Sequence, residues 1–213
     1  MKPSIIWSIV VIILLVAVFS VVKMAKAPVT SGVSGSIPEI SAGDQTRGPK
    51  DSKVVVVEYS DFQCPACAAF FPAVDDLNKE LDGKILFVYR NFPLPQHQNA
   101  ELAAEAAGAA GLQGKFWEMH DALFENQAEW SESGNAKDFF IRYAGTAGIN
   151  IEQFNRDISS REVKNKIEDD LSGGFKANIN STPTFFLNGK KMEGFNSYDE
   201  FKNLVREAVR NNS

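Results

Sequence analysis

The thiol chemistry of this 213-residue chain rests on two cysteines, which stand three residues apart as Cys64-Pro65-Ala66-Cys67. Such a pair can be half of a zinc site, a structural crosslink or a redox centre. Tetrahedral zinc needs four ligands, and the two histidines, His97 and His120, lie too far off in sequence for the usual paired spacing. A purely structural disulfide would close so short a loop that it would stabilise little. The redox reading accounts for more of the surroundings. Pro65 suits the first turn of a helix, where its missing N–H needs no partner, so Cys64 falls at a helix N-terminus. Free backbone N–H groups and the positive end of the helix dipole favour a thiolate there, which makes the sulfur both a nucleophile and a good leaving group. Cys67, one turn later, lies on the same face, so the pair can close to a disulfide and reopen with little movement.

The elements that must hold this pair follow from the flanking pattern. Val54 to Val57 is a continuous β-branched run, as for a strand buried on both faces. The helix after it is expected to run to about Leu81, and Asp82-Gly83 turns into a second buried strand, Ile85 to Tyr89. Strand, helix and strand make a βαβ unit whose ligand-facing edge lies at the strand C-termini, where Cys64 emerges. From about residue 97 to 178 the pattern is helical. Leu102, Ala103, Ala106, Ala107 and Ala110 form one stripe, Phe116 to Phe124 a second, and Phe139, Phe140 and Tyr143 a third, with Asn150 and Ser160 as further N-caps. Thr184 to Leu187, the hairpin signal Asn188-Gly189, Lys190 to Glu193 and a helix from about Ser197 to Arg210 close the chain.

The N-terminus has a different character. Ile5 to Val22 is a run without charge, about as long as a bilayer-crossing helix, with Lys2 before it and Lys23 and Lys26 after it. Ala25-Lys26-Ala27 resembles a signal cleavage site, but Pro28 would follow the cut, so residues 1–26 are expected to be an uncleaved membrane anchor. The flanking lysines do not set its orientation. Residues 27–50, rich in Gly, Pro and Ser, are expected to be a flexible linker spanning about 25–30 Å, and residues 51–213 a single domain. A net charge of −5 without any basic excess argues against nucleic acid as a partner.

Several segments together resemble the DsbA-like thiol:disulfide oxidoreductases: Gly48-Pro49-Lys50-Asp51, Val57 to Cys67, Asn91-Phe92-Pro93-Leu94, Gly114 to Asp121 and Ser181-Thr182-Pro183-Thr184-Phe185. The resemblance runs from about Gly48 to the C-terminus. It implies an α/β thioredoxin fold with an inserted helical domain, working outside the cytoplasm of a prokaryote, without cofactor or metal. Cys64 then corresponds to the exposed nucleophilic cysteine and Cys67 to the buried resolving one. Pro183 corresponds to the family's cis-proline facing the disulfide; with Thr182 before it, and with Pro65 and Ala66, it would border the place where an extended substrate adds as a strand. Without the cysteine pair, Pro183 would read simply as the start of a strand.

Glu58 matches the family's buried acid, and a carboxyl group under the disulfide can take or return the Cys67 proton if burial raises its pKa. The other reading is a partly exposed glutamate at a strand end. His97 and His120 fall in matching segments without an assignable chemical role. The Pro-Ala dipeptide departs from the Pro-His of the family's strongest oxidant, which removes one possible stabiliser of the Cys64 thiolate. Exchange, with oxidation as its leading direction, is therefore expected to act on thiol-containing proteins and to need a membrane partner, quinone-linked by the resemblance, to reoxidise the pair. The competing readings are a reductase or isomerase, or a non-catalytic membrane-tethered binding module.

Overall fold

A computed structural model describes residues 39–195 and 197–212. Its sheet has five strands: β1 (Gln45–Arg47), β2 (Val55–Ser60), β3 (Leu86–Asn91), β4 (Thr184–Leu187) and β5 (Lys190–Lys191). Their spatial order is β1-β3-β2-β4-β5. The two central strands run parallel, with Glu58 opposite Tyr89 and Ser60 opposite Asn91. Every other pairing is antiparallel. The parallel pair requires a crossover, and helix α1 (Pro65–Glu80) supplies it.

Both faces of the central strands are covered, which is why they read as unbroken apolar runs rather than alternating ones. On one face Val56, Phe87, Tyr89 and Phe185 join Cys67, Val74 and Leu77 of α1 and Phe201 and Val205 of α8 (Tyr198–Asn212) in the main core. On the other, Val57, Tyr59, Val88 and Phe186 pack with Phe92, Ala177 and Ile179, around the end of α7 (Arg161–Lys176). Between β3 and β4 lies the helical insertion: α2 (Ala100–Gly111), α3 (Phe116–Glu125), α4 (Gln127–Trp130), α5 (Ala136–Thr146), α6 (Ile151–Asp157) and α7. Its N-caps lie where their sequence places them. Asn150 Oδ1 accepts from Gln153 N at 2.9 Å, and Ser160 Oγ accepts from Val163 N at 3.3 Å. In the last hairpin, Asn188 and Gly189 have φ of 49° and 79°, the paired left-handed conformation a two-residue turn demands.

One expectation needs correcting. The linker expected over residues 27–50 gives way within that range to folded structure, because Gln45–Arg47 pairs antiparallel with Phe87, Val88 and Tyr89. The segment is fastened by charge. Asp44 Oδ2 accepts from Arg90 Nη2 at 2.8 Å and Asp44 Oδ1 from Lys166 Nζ at 3.1 Å, while Arg90 also donates to the hydroxyl of Tyr59 at 3.0 Å. Gly48 then turns the chain at φ 93°, and a Cβ there would stand 2.1 Å from the carbonyl oxygen of Ile85. The anchor expected over residues 1–26 lies outside the described residues; among the described residues no helix is long and apolar enough to cross a membrane.

Candidate functional site

The chain leaves β2 at Ser60, turns through Asp61 to Gln63 and enters α1 at Pro65, so Cys64 is the residue at the helix N-cap, with φ −67° and ψ 122°. Asp61 shapes the turn: its Oδ1 accepts from Gln63 N at 2.7 Å and its Oδ2 from Leu94 N at 2.8 Å. His97 Nδ1 lies 2.7 Å from the same Oδ2. No side chain caps the helix and no acidic residue stands in its first turn, which leaves the positive end of the dipole to the sulfur.

Both cysteines are free thiols with sharply different surroundings. The nucleophile implied by the resemblance was an exposed one, yet Cys64 is only 7 % exposed, because the carbonyl oxygen of Thr182 lies 3.5 Å from its Sγ. What solvent meets is the exposed rim of Pro65 and Ala66. Cys67 is 1 % exposed. The Thr182-Pro183 bond is cis, and Thr182 itself is buried.

The electrostatics separate the two sulfurs. The Cys67 thiol, hydrogen-bonding to Cys64, is the largest influence bringing the Cys64 pKa down to about 5; the Thr182 side chain and the backbone N–H groups of Cys67 and Ala66 act in the same direction. Burial first, then the charge of the neighbouring Cys64 sulfur, pushes the Cys67 thiol up well above the usual cysteine range. At neutral pH the arrangement is thus a Cys64 thiolate beside a Cys67 thiol. Glu58 is 4 % exposed, so the reading as a solvent-facing strand-end side chain does not hold. Burial raises its carboxyl to about 7, against a counteracting influence from the neighbouring Ser60. Its charge in turn reaches Cys67.

The structure thus brings Cys64, Cys67, Glu58, Thr182, Pro183, Pro65 and Ala66 around the N-terminus of α1. The two histidines differ in kind. His97 braces the turn through Asp61, whereas His120 is buried within rings of Phe62, Phe71, Tyr89, Trp117 and Phe124, with Nδ1 2.8 Å from Asp121 Oδ1. Burial lowers its pKa.

Sequence reasoning passed over three contributors. Gln127 donates its side-chain amide to the carbonyl oxygens of Phe62 and Cys64. Ser60 and Tyr89 sit on the face of the sheet that carries Glu58, and both their hydroxyls are buried. Only Ser60 had a readable signal, its place two residues from Glu58 on the same face of β2. Among the described residues no three His, Cys, Asp or Glu side chains group as metal ligands would. Two clefts, one around Arg47, Asp75 and Asp121 and one around Glu129, Arg142 and Tyr143, are lined by neither cysteine.

A strand-turn-helix carrying a low-pKa cysteine, opposed by a cis-proline loop, on a five-stranded sheet with helices on both faces defines the thioredoxin architecture. The family described as thioredoxin matches residues 41–207, and the chain belongs to it. Among solved structures it is similar to a thioredoxin-like oxidoreductase from Silicibacter pomeroyi DSS-3, with 29 % identity and a TM-score of 0.66 over 80 % of this chain and 94 % of that one. BdbD from Bacillus subtilis, in its oxidised form, gives 26 % identity and a TM-score of 0.72 over 84 % and 98 %. Curated relatives carry another name. A segment of an Na(+)/H(+) antiporter NhaA 1 from Mycolicibacterium vanbaalenii is 38 % identical over 183 residues, which is 84 % of this chain but 28 % of that protein. The antiporter NhaA of Herminiimonas arsenicoxydans is 36 % identical over 162 residues, 76 % of this chain and 24 % of its own. The chain thus spans about a quarter of the curated relatives it matches.

Proposed function

We propose that the chain oxidises thiol pairs in proteins outside the cytoplasm, held at the membrane by residues 1–26. The observation that carries the direction is the split between the two sulfurs. A Cys64 held as a thiolate near pH 5 and above lowers the free energy of the dithiol, and whatever stabilises the dithiol makes the disulfide a stronger oxidant.

In the proposed reaction a substrate thiolate attacks Cys64 Sγ of the oxidised protein. A substrate–Cys64 bond forms as the Cys64–Cys67 bond breaks, and the electron pair goes to Cys67, which takes up a proton. A second substrate thiolate then attacks the substrate sulfur of the mixed disulfide and expels the Cys64 thiolate. The substrate leaves as a disulfide, two electrons poorer, and the enzyme is left as the dithiol. The buried Glu58 serves as proton donor to Cys67, and the backbone beside Thr182 and Pro183 receives the extended substrate. A membrane redox partner returns the pair to the disulfide. Its placement at a membrane is supported by the apolar run Ile5 to Val22 and by relatives that carry the matching segment within a protein named as an antiporter.

The test is trapping in intact cells. Cys64→Ser abolishes exchange, while in Cys67→Ala the Cys64 thiolate attacks disulfides already formed in substrates and stays bonded to them, because no Cys67 remains to attack the mixed disulfide and release the substrate thiolate. Equal trapping through either cysteine would reverse the assignment. Retention of function by Cys64→Ser would favour a binding module, and isolation of the native pair as free thiols would favour a reductase.

A further inference from the structure

Beneath Cys67 two buried hydroxyls, Ser60 Oγ and Tyr89 Oη, complete no hydrogen bond to any protein group. Buried polar atoms are nearly always paired, so two orphans side by side need a physical reason. Their position supplies one. Ser60 is 1 % exposed and lies two residues from Glu58 on the same face of β2, and Tyr89, fully buried, is the register partner of Glu58 on β3. Ser60 acts on Glu58, on Cys67 and on Tyr89 alike, so its hydroxyl stands at the junction of the three.

We propose that the Ser60 hydroxyl, oriented by that of Tyr89, is the relay through which the proton passes between the Glu58 carboxyl and the Cys67 sulfur. The proposal rests on the exchange reaction above and deepens it. With Cys67 as a neutral thiol, the hydroxyls face a poor acceptor. When the disulfide breaks, the electron pair arrives on Cys67 Sγ and a strong acceptor is created beside the unpartnered Ser60 hydroxyl. Ser60 then donates its proton to the Cys67 sulfur and takes one from Glu58, while Tyr89 donates to Ser60 Oγ. Glu58 ends as a carboxylate, Ser60 and Tyr89 are unchanged, and Cys67 is again a thiol. Donors held in place before the charge appears need no reorganisation when it does. The hydroxyls leave unmade bonds in the resting dithiol for the sake of bonds made as the leaving thiolate develops.

The titratable and charged groups facing this cluster are Glu58 and Asp61 from β2 and its turn, Cys64 and Cys67 from α1, Tyr89 from β3 and His120 from α3. Of these, Tyr89 is held neutral by its burial and His120 by its aromatic cage, which leaves Glu58 as the proton source near neutral pH.

Stopped-flow kinetics of the oxidised full-length protein with a dithiol peptide, as a function of pH and in heavy water, reads the relay directly. Ser60→Ala should slow attack at least tenfold at and below pH 7, where Glu58 still carries its proton, shrink the solvent isotope effect there and leave the Cys64 pKa in place. Ser60→Thr, which keeps a hydroxyl, should restore most of the rate, and Tyr89→Phe should fall between. Ser60→Ala combined with Glu58→Gln should be no slower than Glu58→Gln alone, because both lie on one path. The relay is overturned if Ser60→Ala keeps the native pH profile and isotope effect, or if the two losses multiply. Either result leaves the exchange reaction standing, because that reaction fails only if the cysteine variants fail to behave as assigned.

Discussion

The side-chain amide of Gln127 donates to the carbonyl oxygen of Cys64 at 3.0 Å and, with the same nitrogen, to that of Phe62 at 2.7 Å. A residue of the helical insertion thus grips the backbone of the nucleophile itself. The grip is doubled next door, where Gln63 Nε2 donates to Ser131 O at 2.7 Å, and Asn99, whose N–H donates to Gln63 Oε1, reaches the carbonyls of Trp130, Ser131 and Ser133. The insertion therefore works as a brace for the turn between β2 and α1 as well as a cover for one face of the sheet.

Gln127→Ala should accordingly loosen the turn without emptying the core. Removing a donor from two carbonyls is expected to cost about 1–2 kcal/mol, read as a lowered denaturant midpoint. The Cys64 pKa should rise as the N–H groups behind it lose their fixed direction. A variant with native stability and an unchanged thiolate titration would show that Gln127 merely fills space.

Asp44 gives a second prediction. Its side chain is 2 % exposed against 4 % for Arg90, and breaking a buried ion pair by removing one partner costs about 3–5 kcal/mol. Asp44→Ala should approach that loss in equilibrium unfolding. The Asp44 carboxyl, despite its burial, is held below the usual range by Arg90, Ser41 N–H and Lys166. Its contribution is therefore present above about pH 4, the unfolded value, and fades as the pH falls below it. An unfolding curve indistinguishable from the native one would return residues 39–47 to the status of a linker.

The same pair shows why part of the fold could be read in the sequence and part could not. The βαβ unit, the caps at Asn150 and Ser160 and the turn at Asn188-Gly189 are local devices, and each left a local pattern. Strand β1 left none: Gln45-Thr46-Arg47 is short, half-buried and without alternation, and it is held by pairing with residues forty or more positions away. Sequence pattern could not supply the 3.5 Å approach of Thr182 to Cys64 or the hold of Gln127, because both depend on segments that meet only in the folded chain. The resemblance to a known family placed Pro183 opposite the cysteines; nothing in its own neighbourhood would have done so.

Glu58→Gln should pull stability and turnover in opposite directions. Burial raises the folded carboxyl to about 7 from the ordinary glutamate value of 4.5. Between these values the folded state holds the extra proton, so stability falls as pH rises from about 4.5 and levels off above 7. The shift corresponds to about 3 kcal/mol. Glutamine carries no such penalty, and the variant should be more stable than the native protein at pH 8 and equal to it at pH 4, while its exchange slows near neutral pH. Equal stability at both pH values would mean that Glu58 is not buried as a charge.

Thiolate absorbance against pH provides the last prediction, and it bears on direction. The native dithiol should titrate near pH 5, and because the Cys67 thiol is the largest stabiliser of the Cys64 thiolate, Cys67→Ala should move that midpoint up toward the ordinary value of 9.0. A cysteine near 5 lies between the values of about 3.5 for DsbA and about 7 for thioredoxin, whose potentials are about −120 and −270 mV. Equilibration with glutathione should place this pair between those limits and nearer the oxidising one, since helix terminus, Thr182 and Cys67 compensate for the alanine that stands inside the motif. The linkage sets the sign with pH. Stabilisation of the dithiol by the depressed pKa is complete above about 9 and is lost as the pH falls through 5, so the oxidising advantage should persist at neutral pH and shrink in acid. A midpoint of 7 or above, with a potential close to that of thioredoxin, would overturn the oxidase reading in favour of a reductase built on the same site.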